Sequence, residues 1–103
     1  MPYFEYYVNN IRPYEQTIVR REKLVHCKRA KYDVYIGRPS KWGNPFAIGR
    51  DGNRKEVIEK YRQWIRTQPA LMKALPELKG KVLGCWCAPR ACHGYVLIEF
   101  VNQ

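Results

Sequence analysis

The sequence lacks long apolar segments. Its longest uninterrupted apolar run covers only residues 95–98, whereas a membrane-spanning helix needs about 20 residues. The first residues contain neither a basic segment nor a small-residue cleavage site, so no signal peptide is expected. Repeats, low-complexity tracts and Gly/Ser-rich linkers are also absent. With 103 residues, 46% of them hydrophobic, the chain is predicted to be one cytoplasmic domain that does not enter a membrane.

Acidic residues are scarce, with 9 Asp and Glu against 19 Lys and Arg, which gives a formal net charge of +10. An anionic partner would relieve this repulsion, and phosphate groups are the leading candidates because binding them releases counterions. Residues 20–31 contain six basic residues and one acidic residue, and Tyr14, Tyr32 and Tyr35 flank them as stacking surfaces. The composition therefore predicts binding of a nucleotide or nucleic acid. The alternative interpretation is a solvated basic surface.

Four short segments are predicted to be β-strands. In the first and the last, aromatic and β-branched residues dominate and Asn, Gly or Pro follows, while the middle two are further short strands or one bent strand. The four segments cover residues 3–8, 17–20, 23–28 and 32–36. Residues 38–52 contain two prolines and three glycines, which indicates a long loop. Loops of this length are usually functional or disordered, and the aromatic Trp42 and Phe46 favour an ordered, functional loop.

The second half of the chain is predicted to be helical with one further strand. Asn53 and Glu56 have the spacing of a capping box before an apolar face at helical period over residues 57–65. Pro69 fits the first turn of a second short helix. Residues 81–86 are predicted to form a buried strand and residues 92–101 a helix, although their apolar composition also suits a strand. The prediction is a small α/β or α+β domain over residues 23–103, with about three helices packed on a short sheet. Residues 1–22 are expected to be an N-terminal extension that adds a strand.

The loop after the fourth predicted strand is the first candidate binding segment. Ligands of open parallel sheets lie at the carboxyl ends of the strands. Glycine permits close approach, arginine and lysine bind phosphate, and tryptophan stacks. The candidate ligand-binding residues here are Gly37, Arg38, Ser40, Lys41, Trp42, Gly43 and Asn44. The alternative is that Trp42 and Phe46 only anchor the loop to the core. The spacing of a phosphate-binding P-loop is missing.

A cluster of sulfur and imidazole ligands near the C-terminus is the second candidate segment. Four residues within nine positions have the ligand types of a zinc site: Cys85, Cys87, Cys92 and His93. The spacing departs from that of structural zinc motifs, and two adjacent residues are an unusual pair of ligands to one ion. Because of these ligand types, zinc is nevertheless predicted as a cofactor. The alternative is that the cysteines are buried and only pack in the core.

Cys92 and His93 are also candidate catalytic residues. At a helix N-terminus near Arg90, the Cys92 thiolate would be stabilised by the helix dipole and by positive charge. The same helix start and Arg90 would equally suit phosphate binding without any reaction. The signature of zinc deaminases is absent, because no His-x-Glu precedes the cysteines.

Two motifs resemble a family of small proteins of bacteriophages and bacteria whose domain has no known function. They are YDVYIGRPSKWGNPF at residues 32–46 and GCWCAP at residues 84–89, followed by CHG at residues 92–94. The resemblance covers residues 23–102. It implies that the two motifs mark the functional site, and it implies no reaction.

The sequence thus predicts one composite site that binds a phosphate-bearing ligand, either a nucleotide or nucleic acid. In this hypothesis Arg38, Lys41 and Arg90 bind phosphate, while Trp42 and Trp86 stack on the ligand or line its pocket. One alternative is an enzyme that modifies or hydrolyses a nucleotide or base with Cys92, His93 or bound zinc. Another is a phage-type accessory protein that sequesters a signalling nucleotide or binds a host protein.

Overall fold

Three parallel strands and three α-helices make up the fold in the computed structural model, which describes residues 22–103. The elements are β1 Lys23–His26, β2 Val34–Tyr35, α1 Arg54–Ile65, α2 Pro69–Ala74, β3 Val82–Cys85 and α3 His93–Val101. A 3₁₀ helix, Leu75–Leu78, follows α2 directly. The predicted α/β class is confirmed. The predicted strands at residues 3–8 and 17–20, and most of the N-terminal extension, lie outside the described residues.

Strand β3 lies in the middle of the sheet, with the order β1-β3-β2. Both neighbours pair with it in parallel, so that Val25 and Tyr35 share the same register partner, Gly84. Beyond the strands, the Cys27 and Ile36 amides still donate to carbonyls of β3, at 3.2 and 2.9 Å. All three strands therefore end at one edge of the sheet, and the segments that follow them start there.

Helices α1 and α3 pack on each other, and their apolar residues share one buried core with the sheet. Tyr61, Ile65 and Leu97 are fully buried between them, together with Leu83 of the central strand. The apolar face predicted for residues 57–65 is therefore confirmed. None of the helices in residues 22–103 is long and apolar enough to cross a membrane.

The starts of the helices are determined by local sequence signals. The Asn53 side chain accepts a hydrogen bond from the Glu56 amide at 2.9 Å, and the Glu56 carboxylate accepts one from the Asn53 amide at 2.8 Å. This is the predicted capping box. Cys92 caps α3 through its sulfur, so residues 93–101 form a helix and the strand alternative is wrong. The capped ends of α1 and α3 both lie at the carboxyl edge of the sheet and bring their first turns to one pocket.

Candidate functional site: a basic pocket with a thiol cluster at its base

A pocket of about 230 Å³ lies at the carboxyl edge of the sheet. Its walls come from the ends of β2 and β3, from the loop after β2, and from the first turns of α1 and α3. Both motifs singled out in the sequence thus contribute to one cavity. This is the position where parallel α/β sheets bind their ligands.

The loop after β2 contributes only part of its predicted residues to this pocket. Gly37, Arg38 and Asn44 line it, whereas Ser40 and Lys41 do not. The reason is a double turn, in which the Ser40 amide donates to the Gly37 carbonyl at 2.9 Å and the next turn follows directly. The buried Ser40 hydroxyl has no hydrogen-bond partner within residues 22–103. Lys41 points away and pairs with Glu77 at 3.0 Å.

Trp42 belongs to the core rather than to the pocket. Its side chain is 2% exposed, and its carbonyl accepts a hydrogen bond from the Tyr61 hydroxyl at 2.7 Å. The expectation that Trp42 stacks on a ligand is therefore corrected. The alternative interpretation, that it anchors the loop, describes its position.

Gly43 and Asn44 fix the position of Arg38. A Cβ atom on Gly43 would lie 3.1 Å from both the Cα and the backbone nitrogen of Arg38, so only glycine permits this close approach. The Asn44 side chain donates to the Val57 carbonyl at 3.1 Å and accepts from the Phe46 amide at 2.9 Å. Both contacts tie the loop to α1 and to itself. Asn44 therefore has a structural role in addition to lining the pocket.

Among residues 22–103, the permanent charges of the pocket lining come from two arginines, Arg38 and Arg54. Arg54 donates to the Ala91 carbonyl at 3.0 Å and so joins the starts of α1 and α3. Within residues 22–103, no carboxylate pairs with the guanidinium of Arg38. Arg54 was missed in the sequence analysis. A signal existed, since a basic residue in the first turn of a helix opposes the helix dipole and calls for another role.

The base of the pocket contains three buried side chains with the ligand types of a metal site: Cys85, Cys92 and His93. Their ligand atoms all lie within 4.8 Å of one another. The Sγ atoms of Cys85 and Cys92 are 3.2 Å apart, and Cys92 Sγ lies 3.4 Å from His93 Nδ1. The two adjacent side chains therefore do converge, because Cys92 is extended while His93 begins the helix.

The surroundings of His93 define its tautomer. Its Nε2 atom lies 2.8 Å from the Ile36 carbonyl, and because a carbonyl oxygen can only accept, Nε2 carries the hydrogen. The unprotonated Nδ1 then faces Cys92. Burial lowers the pKa of His93, so the ring is neutral near pH 7. A histidine that donates its distal nitrogen to a backbone carbonyl is oriented as metal-ligating histidines usually are.

Cys85 and Cys92 are joined by a hydrogen bond between their sulfurs. The Cys92 thiol donates a hydrogen bond to the Cys85 sulfur, which lowers the pKa of Cys85 to about 5, with further help from the Cys87 amide. The same shared bond, followed by burial, raises the pKa of Cys92. This hydrogen bond therefore favours ionisation of Cys85 over Cys92, whereas the helix dipole had been expected to favour the Cys92 thiolate.

The other predicted residues lie around the mouth of the pocket. Cys87 lines the pocket but stands outside the group of three metal-binding side chains. Trp86 is 56% exposed and lies at the border between the pocket and a neighbouring groove. Arg90 lines that groove and does not line the pocket. All four cysteines are free thiols.

Comparisons with known proteins show the family of the chain. The family model described as "Domain of unknown function (DUF4326)" matches residues 18–103. The chain belongs to this family. The family resemblance predicted from the two motifs is thereby confirmed, including its viral members.

Two curated viral relatives are similar to the chain over most of its length. One is an uncharacterized protein of Acanthamoeba polyphaga mimivirus, 40% identical over 100 residues, which cover 74% of this chain and 76% of that protein. The other is an uncharacterized 12.4 kDa protein from the nrdA-td intergenic region of Enterobacteria phage T4. It is 33% identical over 86 residues, covering 79% of this chain and 78% of that protein. No solved structure matches the chain at a significant level.

Proposed function

We propose that this protein binds a phosphate-bearing, nucleotide-type ligand in the pocket at the carboxyl edge of the sheet. The observation that carries the proposal is the charge of the lining. Within the described part of the chain, Arg38 and Arg54 are its only permanently charged residues, and no Asp or Glu is among them. A guanidinium binds two phosphate oxygens at once through parallel hydrogen bonds.

The apolar part of the pocket suits the remainder of a nucleotide. Tyr35, Phe46 and Trp86 contribute aromatic surface beside the two arginines. Ligand pockets usually measure roughly 300–1,000 Å³, and this one, at about 230 Å³, is smaller. We therefore expect it to enclose the phosphate and its neighbouring group, with the rest of the ligand across the mouth at Trp86.

A thermal-shift screen tests this proposal. Inorganic phosphate and the ribonucleoside and deoxyribonucleoside mono-, di- and triphosphates are the probes. At least one nucleotide should raise the melting temperature of the wild type. Titration calorimetry should then show about 10- to 100-fold weaker binding to Arg38→Ala, because charge-assisted hydrogen bonds contribute roughly 1.5–3 kcal/mol.

The control for this screen is Lys73→Ala, which removes an exposed positive charge from α2 and leaves the pocket lining unchanged. It should bind as tightly as the wild type. Equal affinity of Arg38→Ala and the wild type would contradict the proposal, as would a panel in which no nucleotide stabilises the protein.

A second candidate function, zinc binding, is favoured by the cluster of Cys85, Cys92 and His93. The donor set is soft enough for zinc, and the tautomer of His93 leaves Nδ1 free to ligate. Tetrahedral zinc with bonds of about 2.3 Å to sulfur needs sulfurs about 3.8 Å apart, so the 3.2 Å pair would open slightly. A metal bound here would supply Lewis-acid chemistry for an enzyme that acts on the ligand.

Metal analysis with two cysteine variants tests the zinc candidate. The purified protein should contain about one zinc per chain, and Cys85→Ser should lose it. Cys27→Ser is the matched control, since Cys27 lies outside the three-residue cluster. A wild type that is metal-free as purified and binds added zinc no more tightly than Cys85→Ser would contradict this candidate.

The proposed location is the cytoplasm. Four free cysteines fit a reducing compartment better than an oxidising one.

A further inference from the structure

A second hollow, of about 480 Å³, adjoins the pocket and has a strongly basic lining. It lies between the end of β1 and the turn after β3, and it includes Arg29, Arg54 and Arg90. None of the Asp and Glu residues that the structure describes lines it. Arg54 and Trp86 line both this groove and the pocket, so the two hollows form one continuous surface.

Trp86 forms the ridge between the two hollows. It is 56% exposed, although large aromatic side chains without a partner are normally buried. His26 meets the ring edge-on with centroids 5.7 Å apart, and Lys28 Nζ lies 5.5 Å from the ring centroid. These two residues contact the indole, and Lys28 places one positive charge over its ring. In the core of the same protein, by contrast, Trp42 is 2% exposed.

We infer that the groove binds the backbone of a single-stranded nucleic acid, with one base stacked on Trp86 and the adjacent phosphate in the pocket. This inference rests on the proposed function and names its ligand class. An exposed aromatic ring beside a basic groove is the arrangement with which proteins bind unpaired bases. A duplex keeps its bases stacked on each other and has none to offer to Trp86.

The small pocket fits this ligand. A cavity that encloses only a phosphate and its neighbouring group leaves the rest of the chain to the groove. The arginines of the groove carry part of the net charge of +10. They would contact phosphates, and each such contact adds to the affinity for nucleic acid.

Fluorescence anisotropy with labelled 12-residue oligo(dT) and oligo(U) tests the inference, and the two probes distinguish DNA from RNA. The 12-mer should bind more tightly than the corresponding mononucleotide and than a 12-base-pair duplex. Trp86→Ala should weaken 12-mer binding roughly 5- to 150-fold, since stacking of one base contributes about 1–3 kcal/mol. Trp86→Phe should recover part of the loss.

The double variant Arg29→Ala/Arg90→Ala separates the groove from the pocket. It should lower the slope of log affinity against log salt by about 1.4, because each single-strand phosphate contact contributes about 0.7. Its affinity for a mononucleotide should be unchanged, since neither residue lines the pocket. Lys55→Ala/Lys73→Ala, which removes two exposed positive charges that line neither hollow, serves as the charge-matched control.

The outcomes separate the two proposals. The groove proposal is contradicted if the 12-mer binds no more tightly than a mononucleotide, or if it binds Trp86→Ala as tightly as the wild type. Either result is compatible with an Arg38-dependent pocket. If binding of the 12-mer depends on Trp86 and the groove arginines but not on Arg38, the proposal for the groove is supported and the proposal for the pocket is contradicted. A duplex bound as tightly as the single strand also overturns the inference.

Discussion

Replacing His93 with phenylalanine tests how the base of the pocket is held together. The substitution keeps an aromatic ring against Tyr61, which now lies edge-on with centroids 4.9 Å apart. It removes the hydrogen bond of 2.8 Å to the Ile36 carbonyl. Because Ile36 is fully buried, its carbonyl would be left without a partner, at a cost of about 1–3 kcal/mol.

This loss should appear in urea unfolding as a midpoint lowered by about 1–2 M with an unchanged slope, since slopes for small domains are about 1–3 kcal/mol/M. The measurement is made with a chelator present, so that bound metal does not contribute. His93→Gln is the matched variant, because its side-chain amide can still donate to Ile36. We expect it to be the more stable of the two. A His93→Phe protein as stable as the wild type would refute the role assigned to this bond.

Three further predictions concern elements that position the pocket. Asn53→Ala removes one half of the capping box of α1 and should lower the free energy of unfolding by about 1 kcal/mol, measured by urea unfolding. The pKa of Glu22 is lowered from 4.5, mainly by the hydrogen bond from the Gly80 amide. The stability that this carboxylate adds is therefore present above about pH 4.5 and is lost as the pH falls through its folded pKa. Glu22→Gln should therefore be less stable than the wild type at pH 7, and the difference should shrink as the pH falls through the folded pKa of Glu22; a constant difference would contradict this. Gly43→Ala would press against the backbone of Arg38 and should cost about 1–3 kcal/mol and weaken nucleotide binding, whereas unchanged melting and binding would exclude a positioning role.

Local signals predicted the helices well. The capping box at Asn53 and the proline at the start of α2 act through neighbours within four residues, so the sequence alone was sufficient. Strand β2 is shorter than the predicted residues 32–36, although backbone bonds from Asp33 and Ile36 to β3 continue on both sides of it. The extent of a strand depends on its partner, which lies almost 50 residues away in the chain.

The two motifs were correctly expected to meet, because parallel strands bring their carboxyl ends to one edge of the sheet. The sequence alone did not show which residues of the loop line the pocket and which pack in the core. Trp42 is buried in a core that includes Tyr61, 19 residues away, and Lys41 pairs with Glu77. A tryptophan in a basic loop has the same local pattern whether it stacks on a ligand or packs in a core.

Long-range placement also determined which residues surround the site. Arg54 belongs to a helix predicted for structural reasons only, and its position beside Ala91 depends on the packing of α1 against α3. The convergence of Cys92 and His93 depends on the extended backbone of Cys92, which adjacency in the sequence does not reveal. The composition predicted a basic surface for an anionic partner, and the fold brings part of that surface together around Trp86.

The central claim is that a nucleotide phosphate lies between Arg38 and Arg54. The most direct measurement is a ¹H–¹⁵N NMR titration with the tightest-binding nucleotide of the screen, in which the backbone amides and the guanidinium Nε–H signals of both arginines are followed. If a nucleotide phosphate lies between Arg38 and Arg54, the largest shifts should occur at these two arginines, at Gly37 and at the start of α3. Shifts confined to α2 or to other surfaces, with both guanidinium signals unchanged, would contradict it.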